Sequence, residues 1–347
     1  MDSSHTTSSR LNVFTLKNKN GLSMTITNFG GKVMSMLIPD RNGKLNDIIL
    51  GYGTPEEYIN GSPYFGALIG RVGNRIAKGK FSLNGNTHQL PINNGENHLH
   101  GGPNGFHNVY WDATPLSING NEALQLEYTS KNGEQGYPGN LKVIVKYILT
   151  NENDWIVEYE ATTDQSTPIN LTQHNYYNLA GEGNGDILNH RLAIHADHFT
   201  PVDSSLIPTG ELRSVANTPF DFRKPISIGE HINDDDEQLK FGSGYDHNWV
   251  LVKKDNSPTL AAVVSEPTSG RIMEIYTTEP GIQLYAGNFL DSTDIGKSKI
   301  AYAHRTGFCL ETQHFPDSPN RLDFPSVILK PGEKYYQKTI HRFMTDK

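Results

Sequence analysis

Cysteine is nearly absent: Cys309 is the only one in 347 residues. One thiol cannot build an intramolecular disulfide framework, and it argues against a Cys-based zinc site. It suits a reducing compartment, so the expected location is cytoplasmic. No window approaches the roughly 18 consecutive apolar residues of a membrane-spanning helix. The polar, Ser/Thr-rich stretch Met1 to Arg10 has no apolar run behind it and reads as a flexible tail rather than a secretory signal. Positive charge is in deficit, with 30 Lys plus Arg against 38 Asp plus Glu and a net charge of −8. That disfavours a nucleic-acid partner, which wants clustered cations. Long amphipathic helical patterns, fixed-period repeats and low-complexity linkers are also missing, against an alternating β/α fold. No Gly-x-Ser-x-Gly elbow, Walker loop or His-Glu-x-x-His pair occurs. Gly181 and Gly183 lack the third glycine of a dinucleotide fingerprint.

What is abundant is turn chemistry. There are 33 glycines and 19 prolines, and Asn-Gly pairs recur at Asn20, Asn42, Asn60, Asn84, Asn94, Asn104, Asn119, Asn132 and Asn184. Asn-Gly supplies the positive φ angles of tight hairpins. Between the turns, apolar and polar residues alternate with period 2. Leu22, Met24 and Ile26 share one face, and Leu141 to Leu149 followed by Trp155, Val157, Tyr159 and Ala161 reads as a hairpin with one buried face. Further strands are expected at Thr259 to Ser265, Arg271 to Thr277, Ile282 to Ala286, Phe308 to Thr312 and Tyr335 to Phe343. Two short helices are expected, one turn at Thr54 to Tyr58 with Thr54 as N-cap and one at Pro225 to Ile232. The acidic run Asp234 to Glu237 reads as a solvated loop. The expected fold is all-β, a large antiparallel β-sandwich with few short helices, with one catalytic domain over residues 11–347 after the tail at 1–10.

Five segments place ionisable or amide groups among apolar and glycine residues, where burial is costly unless the groups are paired or used. In Gly70 to Ile76, Asn74 and Arg75 would donate to ligand oxygens, or the arginines would simply lie at the surface. In Asn97 to Gly102, His98 and His100 at i and i+2 would point the same way in a strand and form a metal pair. The glycines after His100 favour it instead as the working residue, with His98 structural. The segment Pro168 to Leu179 surrounds His174 with amides, hydroxyls and aromatic rings. In Gly244 to Trp249, Asp246 would form a turn or grip vicinal hydroxyls. In Cys309 to Gln313, Glu311 interrupts an apolar strand, as a paired carboxylate or as a base with an adjusted pKa, while Cys309 reads as a small buried apolar residue.

These segments together resemble the aldose 1-epimerase (galactose mutarotase) family. The likeness rests on Asn74-Arg75-Ile76, Leu99-His100-Gly101-Gly102, Tyr137-Pro138-Gly139, Gln173-His174-Asn175-Tyr176, Gly244 to Asn248 and Leu310-Glu311-Thr312-Gln313, in order from about Phe14 to Phe343. The resemblance implies Glu311 as general base, His174 as general acid and His100 as a donor near the reacting oxygens. It implies Asn74, Arg75, Asp246 and Gln283 as sugar contacts. Gln173 departs from the asparagine often found before that histidine. The implied substrate is a free aldohexose, with no cofactor, metal, nucleic acid or membrane partner, and with a monomeric or homodimeric chain. A bell-shaped pH profile is expected, its low-pH arm from Glu311 and its high-pH arm from His174. The alternatives are a silent sugar-binding domain on the same scaffold, a metal enzyme using His98 and His100, and a sugar-phosphate epimerase for which Arg71 would be the extra cation.

Overall fold

The computed structural model describes residues 10–62 and 64–346. The expected tail lies outside them except for Arg10, whose carbonyl accepts from Asn28 Nδ2 at 3.0 Å. Asn-Gly turns close the hairpins as their chemistry requires. Asn119 and Gly120 both have positive φ, at 51° and 78°, and Ile118 pairs with Asn121 across them. Asn84 and Gly85 do the same between Lys80–Leu83 and Asn86–Gln89. Two successive left-handed residues match the twist of the strands they join.

Every pairing between named strands is antiparallel. The largest sheet runs Asp112–Ile118, Asn121–Ser130, Leu141–Leu149, Asp154–Thr163, Tyr335–Thr345, Arg271–Thr277, Thr259–Ser265, Arg191–Ile194 and Ile226–Ser227. A five-stranded sheet runs Arg213–Ser214, Ala196–Thr200, Asp246–Leu251, Gly281–Tyr285 and Cys309–Gln313, and a four-stranded sheet holds the N-terminal strands from Val13 to Asp47. Apolar residues from all three layers share one core: Val143, Trp155 and Met273 from the first, Trp249, Ile282 and Leu310 from the second, Met24 and Ile26 from the third. Period-2 alternation drives this packing. Trp155, Val157, Tyr159 and Ala161 are buried while Ile156, Glu158 and Glu160 are half-exposed. No helix among the described residues is long and apolar enough to cross a membrane.

Both helix expectations need correction. The first helix spans Glu57–Asn60, three residues later than read, and Thr54 does not cap it. Instead Glu57 Oε2 accepts from the Thr54 N–H at 2.8 Å, tying down the turn in front of the helix. Pro225 to Ile232 is not helical, and Ile226–Ser227 pairs with Arg191 and Leu192. The second helix is Glu237–Gly242, capped by Asp236 Oδ1, which accepts from the N–H groups of Gln238 and Leu239 at 2.8 and 3.3 Å. The acidic run is therefore a helix start, since a carboxylate at N-cap satisfies donors that a helix leaves unpaired.

Buried neutral histidines make the fold sensitive to acid. Burial lowers the pKa of His98, His190 and His247 to about 4 and of His107 and His341 to about 3. Each titrates near 6.5 in an unfolded chain. Between those limits the unfolded state binds more protons, so stability is full above pH ~6.5 and is lost as pH falls toward 4. The expected outcome in differential scanning calorimetry is a Tm lower by about 10 °C or more at pH 5 than at pH 7. An unchanged Tm would show that these rings are not held neutral.

Candidate active site

The strand Cys309–Gln313 forms one edge of the five-stranded sheet. Its alternation points Cys309, Glu311 and Gln313 to one face and Leu310 and Thr312 to the other. On that second face Thr312 Oγ1 lies 2.7 Å from Thr339 Oγ1 of the nine-stranded sheet. Gln283 is the register partner of Glu311, and Asn248 that of Gln283. Asp246, two residues before Asn248, therefore emerges on the same face. Antiparallel register thus gathers residues distant in sequence into one row of polar side chains.

The short strand Thr172–His174 pairs with Ala67–Ile69 and carries His174 to Glu311, with Nε2 3.6 Å from Oε1. On the other side of the ring, His174 Nδ1 lies 3.5 Å from Cys309 Sγ. Tyr64 and Tyr176 flank the imidazole nearly parallel to it, at centroid distances of 5.6 and 5.1 Å. His100 stands almost perpendicular to His174 at 5.1 Å. Its Nδ1 accepts the Asn74 N–H at 3.1 Å, so the neutral ring carries its proton on Nε2.

The opposite wall holds hydrogen-bonding groups in fixed orientations. Arg75 Nη2 is 3.5 Å from Asp246 Oδ2, and Arg75 Nε donates to Asn94 Oδ1 at 2.9 Å. Gln283 Nε2 donates to Asp246 Oδ1 at 2.8 Å. Arg75, Asn94, Asp246 and the two histidines line a cavity of about 340 Å³ whose mouth is formed by Phe289, Leu290, Asp291, Thr293 and Asp294. A space of that size suits a monosaccharide ring, with aromatic faces on one side and polar groups on the other.

Burial sets the electrostatics. Glu311 is pushed well above the usual carboxylate range by burial, reinforced by the charge of Asp246 and opposed by Arg75. Its Oε2 is buried with no hydrogen-bond partner. Burial lowers His174 to about 4, opposed by its own backbone carbonyl and by Asp246, and takes His100 well below its ordinary value. Burial thus favours the uncharged forms of both members of the Glu311–His174 pair, and of His100 beside it. Such a pair can exchange one proton with a ligand in either direction.

Residues 12–342 match the family described as aldose 1-epimerase. The chain belongs to the aldose 1-epimerase family. It is 47% identical over 322 residues to a Bos taurus galactose mutarotase, covering 93% of this chain and 91% of the relative. It is 39% identical over 337 residues to an Escherichia coli K12 aldose 1-epimerase, covering 96% and 95%. The crystal structure of an aldose epimerase homologue from C. elegans superposes with a TM-score of 0.89 at 33% identity, covering 97% of this chain and all of that one.

Within this aldose 1-epimerase scaffold, Asn74, Arg75, His100, His174, Asp246 and Glu311 all line the one cavity. Gln283 stands behind it and orients Asp246. The pairing of His98 with His100 does not form. The named strand ends at Leu99 and His100 takes a left-handed φ of 52°, which swings its ring toward Asn74. His98 is satisfied elsewhere, by the Pro91 carbonyl at 2.7 Å and the Tyr137 hydroxyl at 2.8 Å, as a structural histidine would be. A Cβ on Gly101 would collide with the Gly70 carbonyl oxygen, so the close approach there is by backbone. Arg71 is not a surface arginine. It is 2% exposed and donates to the carbonyls of Pro138 and Gly139 at 2.8 and 3.0 Å, away from the cavity. Gln173 does supply local hydrogen bonding, donating to the Gly66 carbonyl at 2.6 Å and to Asn175 Oδ1 at 3.0 Å.

Sequence reasoning missed Tyr64 and Asn94. Tyr64 carries no motif and contacts His100, His107 and His174 together. Asn94 was legible only as the first residue of an Asn-Gly turn, yet its side chain holds Arg75.

Proposed function

We propose that the protein interconverts the α and β anomers of free aldohexoses, galactose and glucose among them, by opening and reclosing the pyranose ring, as one catalytic domain over residues 11–347 acting in the cytoplasm. The observation that carries this reading is the juxtaposition of His174 Nε2 and Glu311 Oε1 at 3.6 Å on the floor of a sugar-sized cavity. The bovine relative is a galactose mutarotase by name, which points to galactose.

Anomer exchange needs one group to take the proton of the C1 hydroxyl while another protonates the ring oxygen. Glu311 takes the first proton and His174 gives the second, so the C1–O5 bond breaks and the aldehyde forms. Rotation about C1–C2 presents the other carbonyl face, and reclosure runs both transfers backward. His100 donates from Nε2 to the oxygens at the reacting end. Asn74, Arg75 and Asp246 hold the remaining hydroxyls. Each positioned acid or base contributes about 10²–10⁴-fold.

Polarimetry on freshly dissolved α-galactose tests the reading. Optical rotation should reach equilibrium much faster with the protein than without it. A chain that binds galactose but leaves the spontaneous rate unchanged would be a sugar-binding domain, and the proposal would fail.

The cavity disfavours a phosphorylated sugar. Arg75 is the one Lys or Arg among its described lining residues, and it is already paired with Asp246, while Asp291 and Asp294 stand at the mouth. A phosphoryl group there would meet like charge. The expected kcat/KM for galactose 6-phosphate is about tenfold or more below that for galactose, from initial rates of anomer exchange.

A further inference from the structure

Tyr64 is tied to the site through the backbone. Its carbonyl accepts the Ala67 N–H at 3.1 Å, and the Gly66 N–H between them donates to the His174 carbonyl at 3.0 Å. This turn lays the Tyr64 ring within 24° of parallel to His174 at a centroid distance of 5.6 Å, while Tyr176 lies within 29° at 5.1 Å. Contacts with His100 and His107, at 4.9 and 5.0 Å, keep the Tyr64 ring in place. An aromatic ring within about 6 Å attracts a cation through its π electrons. Burial disfavours the imidazolium of His174, yet that is the form in which His174 gives a proton to the sugar. The groups around the ring offer it little compensating charge. Cys309, at Nδ1, is a thiol that burial keeps protonated. Burial favours the uncharged form of Glu311 and holds His100 and His107 neutral. Arg75 is occupied by Asp246 and Asn94. Asp246 and the ring's own backbone carbonyl favour the cation, and the two tyrosine rings are the remaining groups against it. Both tyrosines are uncharged, because burial raises Tyr64 to about 12 and Tyr176 well above its ordinary value.

We propose that Tyr64 is a positioning residue for the acid–base chemistry: with Tyr176, its aromatic ring stabilises the His174 imidazolium, so that this buried side chain carries the proton it exchanges with Glu311 and the sugar. The inference rests on reading His174 and Glu311 as the acid–base pair. It assigns the effect to the π electrons of Tyr64 and gives its hydroxyl no part.

Tyr64→Leu should lower kcat for galactose about tenfold, change KM by less than about threefold and move the acid arm of kcat/KM to lower pH by about half a unit to one unit. Tyr64→Phe keeps the ring and should recover kcat to within about twofold of the parent chain, with the acid arm restored. Initial rates after a pH jump keep that arm readable in a fold sensitive to acid. Fluorinated phenylalanines at residue 64, placed by stop-codon suppression, hold the shape of the ring while withdrawing its electrons. Both kcat and the acid arm should fall stepwise as fluorines are added. This series decides the matter even where Tyr64→Leu does not fold. A Leu variant with parent kcat, or with an acid arm that stays put or moves upward, would overturn the inference. So would a Phe variant as impaired as the Leu variant, or rates indifferent to fluorination. Failure of the parent chain to accelerate anomer exchange would refute the functional reading instead. The ring contact is then tested by carbon-13 NMR of His174 Cε1, assigned by its loss in His174→Asn, which should begin to titrate at lower pH in the fluorinated chains than in Tyr64→Phe.

Discussion

Glu311→Gln is expected to lower kcat for galactose by about 10³-fold or more while changing KM by less than about threefold. Glutamine preserves the shape of the side chain and removes its ability to take the C1 hydroxyl proton. The groups proposed to hold the sugar are untouched, because Asn74 accepts the Arg75 N–H, Arg75 pairs with Asp246 and Asn94, and Gln283 donates to Asp246, none of these bonds involving Glu311. Stability should hardly suffer, since Glu311 Oε2 has no partner to lose and burial already favours its uncharged form. Initial rates by polarimetry over a range of galactose concentrations separate kcat from KM. Near-normal turnover would remove Glu311 from the chemistry.

The pH profile of kcat/KM should be bell-shaped, with its two arms exchanged relative to the sequence expectation. In the free site burial lowers His174 to about 4 and raises Glu311 well above its ordinary range. Below pH ~4 both groups are protonated and no base remains. Above the raised value of Glu311 both are deprotonated and no acid remains. Between the arms the pair holds one proton, and either location across 3.6 Å leaves one donor and one acceptor. The low-pH arm therefore follows His174 and the high-pH arm follows Glu311, as macroscopic values of a coupled pair. Asp246 raises Glu311 by like charge, so Asp246→Asn should move the alkaline arm to lower pH as well as raise KM. An alkaline arm that stays put or moves upward in that variant would count against the assignment.

Much of this architecture was legible because period-2 burial and Asn-Gly turns are local signals. The alternation at Trp155 to Ala161 and the turns at Asn84 and Asn119 needed no tertiary knowledge. Helices of four to six residues were misplaced because they show less than two turns of periodicity, and only the Asp236 cap betrays the second. The site was legible wherever a polar residue interrupts an apolar strand, as Glu311 and His174 do. It was hidden where tertiary geometry decides. Arg71 and Arg75 are four residues apart and look alike in sequence, yet one is a buried brace for the Pro138 turn and the other faces the cavity. His98 and His100 separate because a left-handed residue breaks the alternation that would have aligned them. Tyr64 becomes visible only when three rings from distant segments close around it.

The edge strand Cys309–Gln313 divides its labour by parity. Odd positions serve the cavity, while Thr312 meets Thr339 of the opposing sheet and Leu310 joins the main core. A single-residue insertion ahead of Cys309 would swap these duties throughout the strand, sending the carboxyl into the hydrophobic interior and a leucine toward the substrate. Length changes here should thus be far less tolerated over evolutionary time than point replacements. A two-residue insertion would restore parity, yet it would shift the carboxyl by about 7 Å, out of reach of its imidazole.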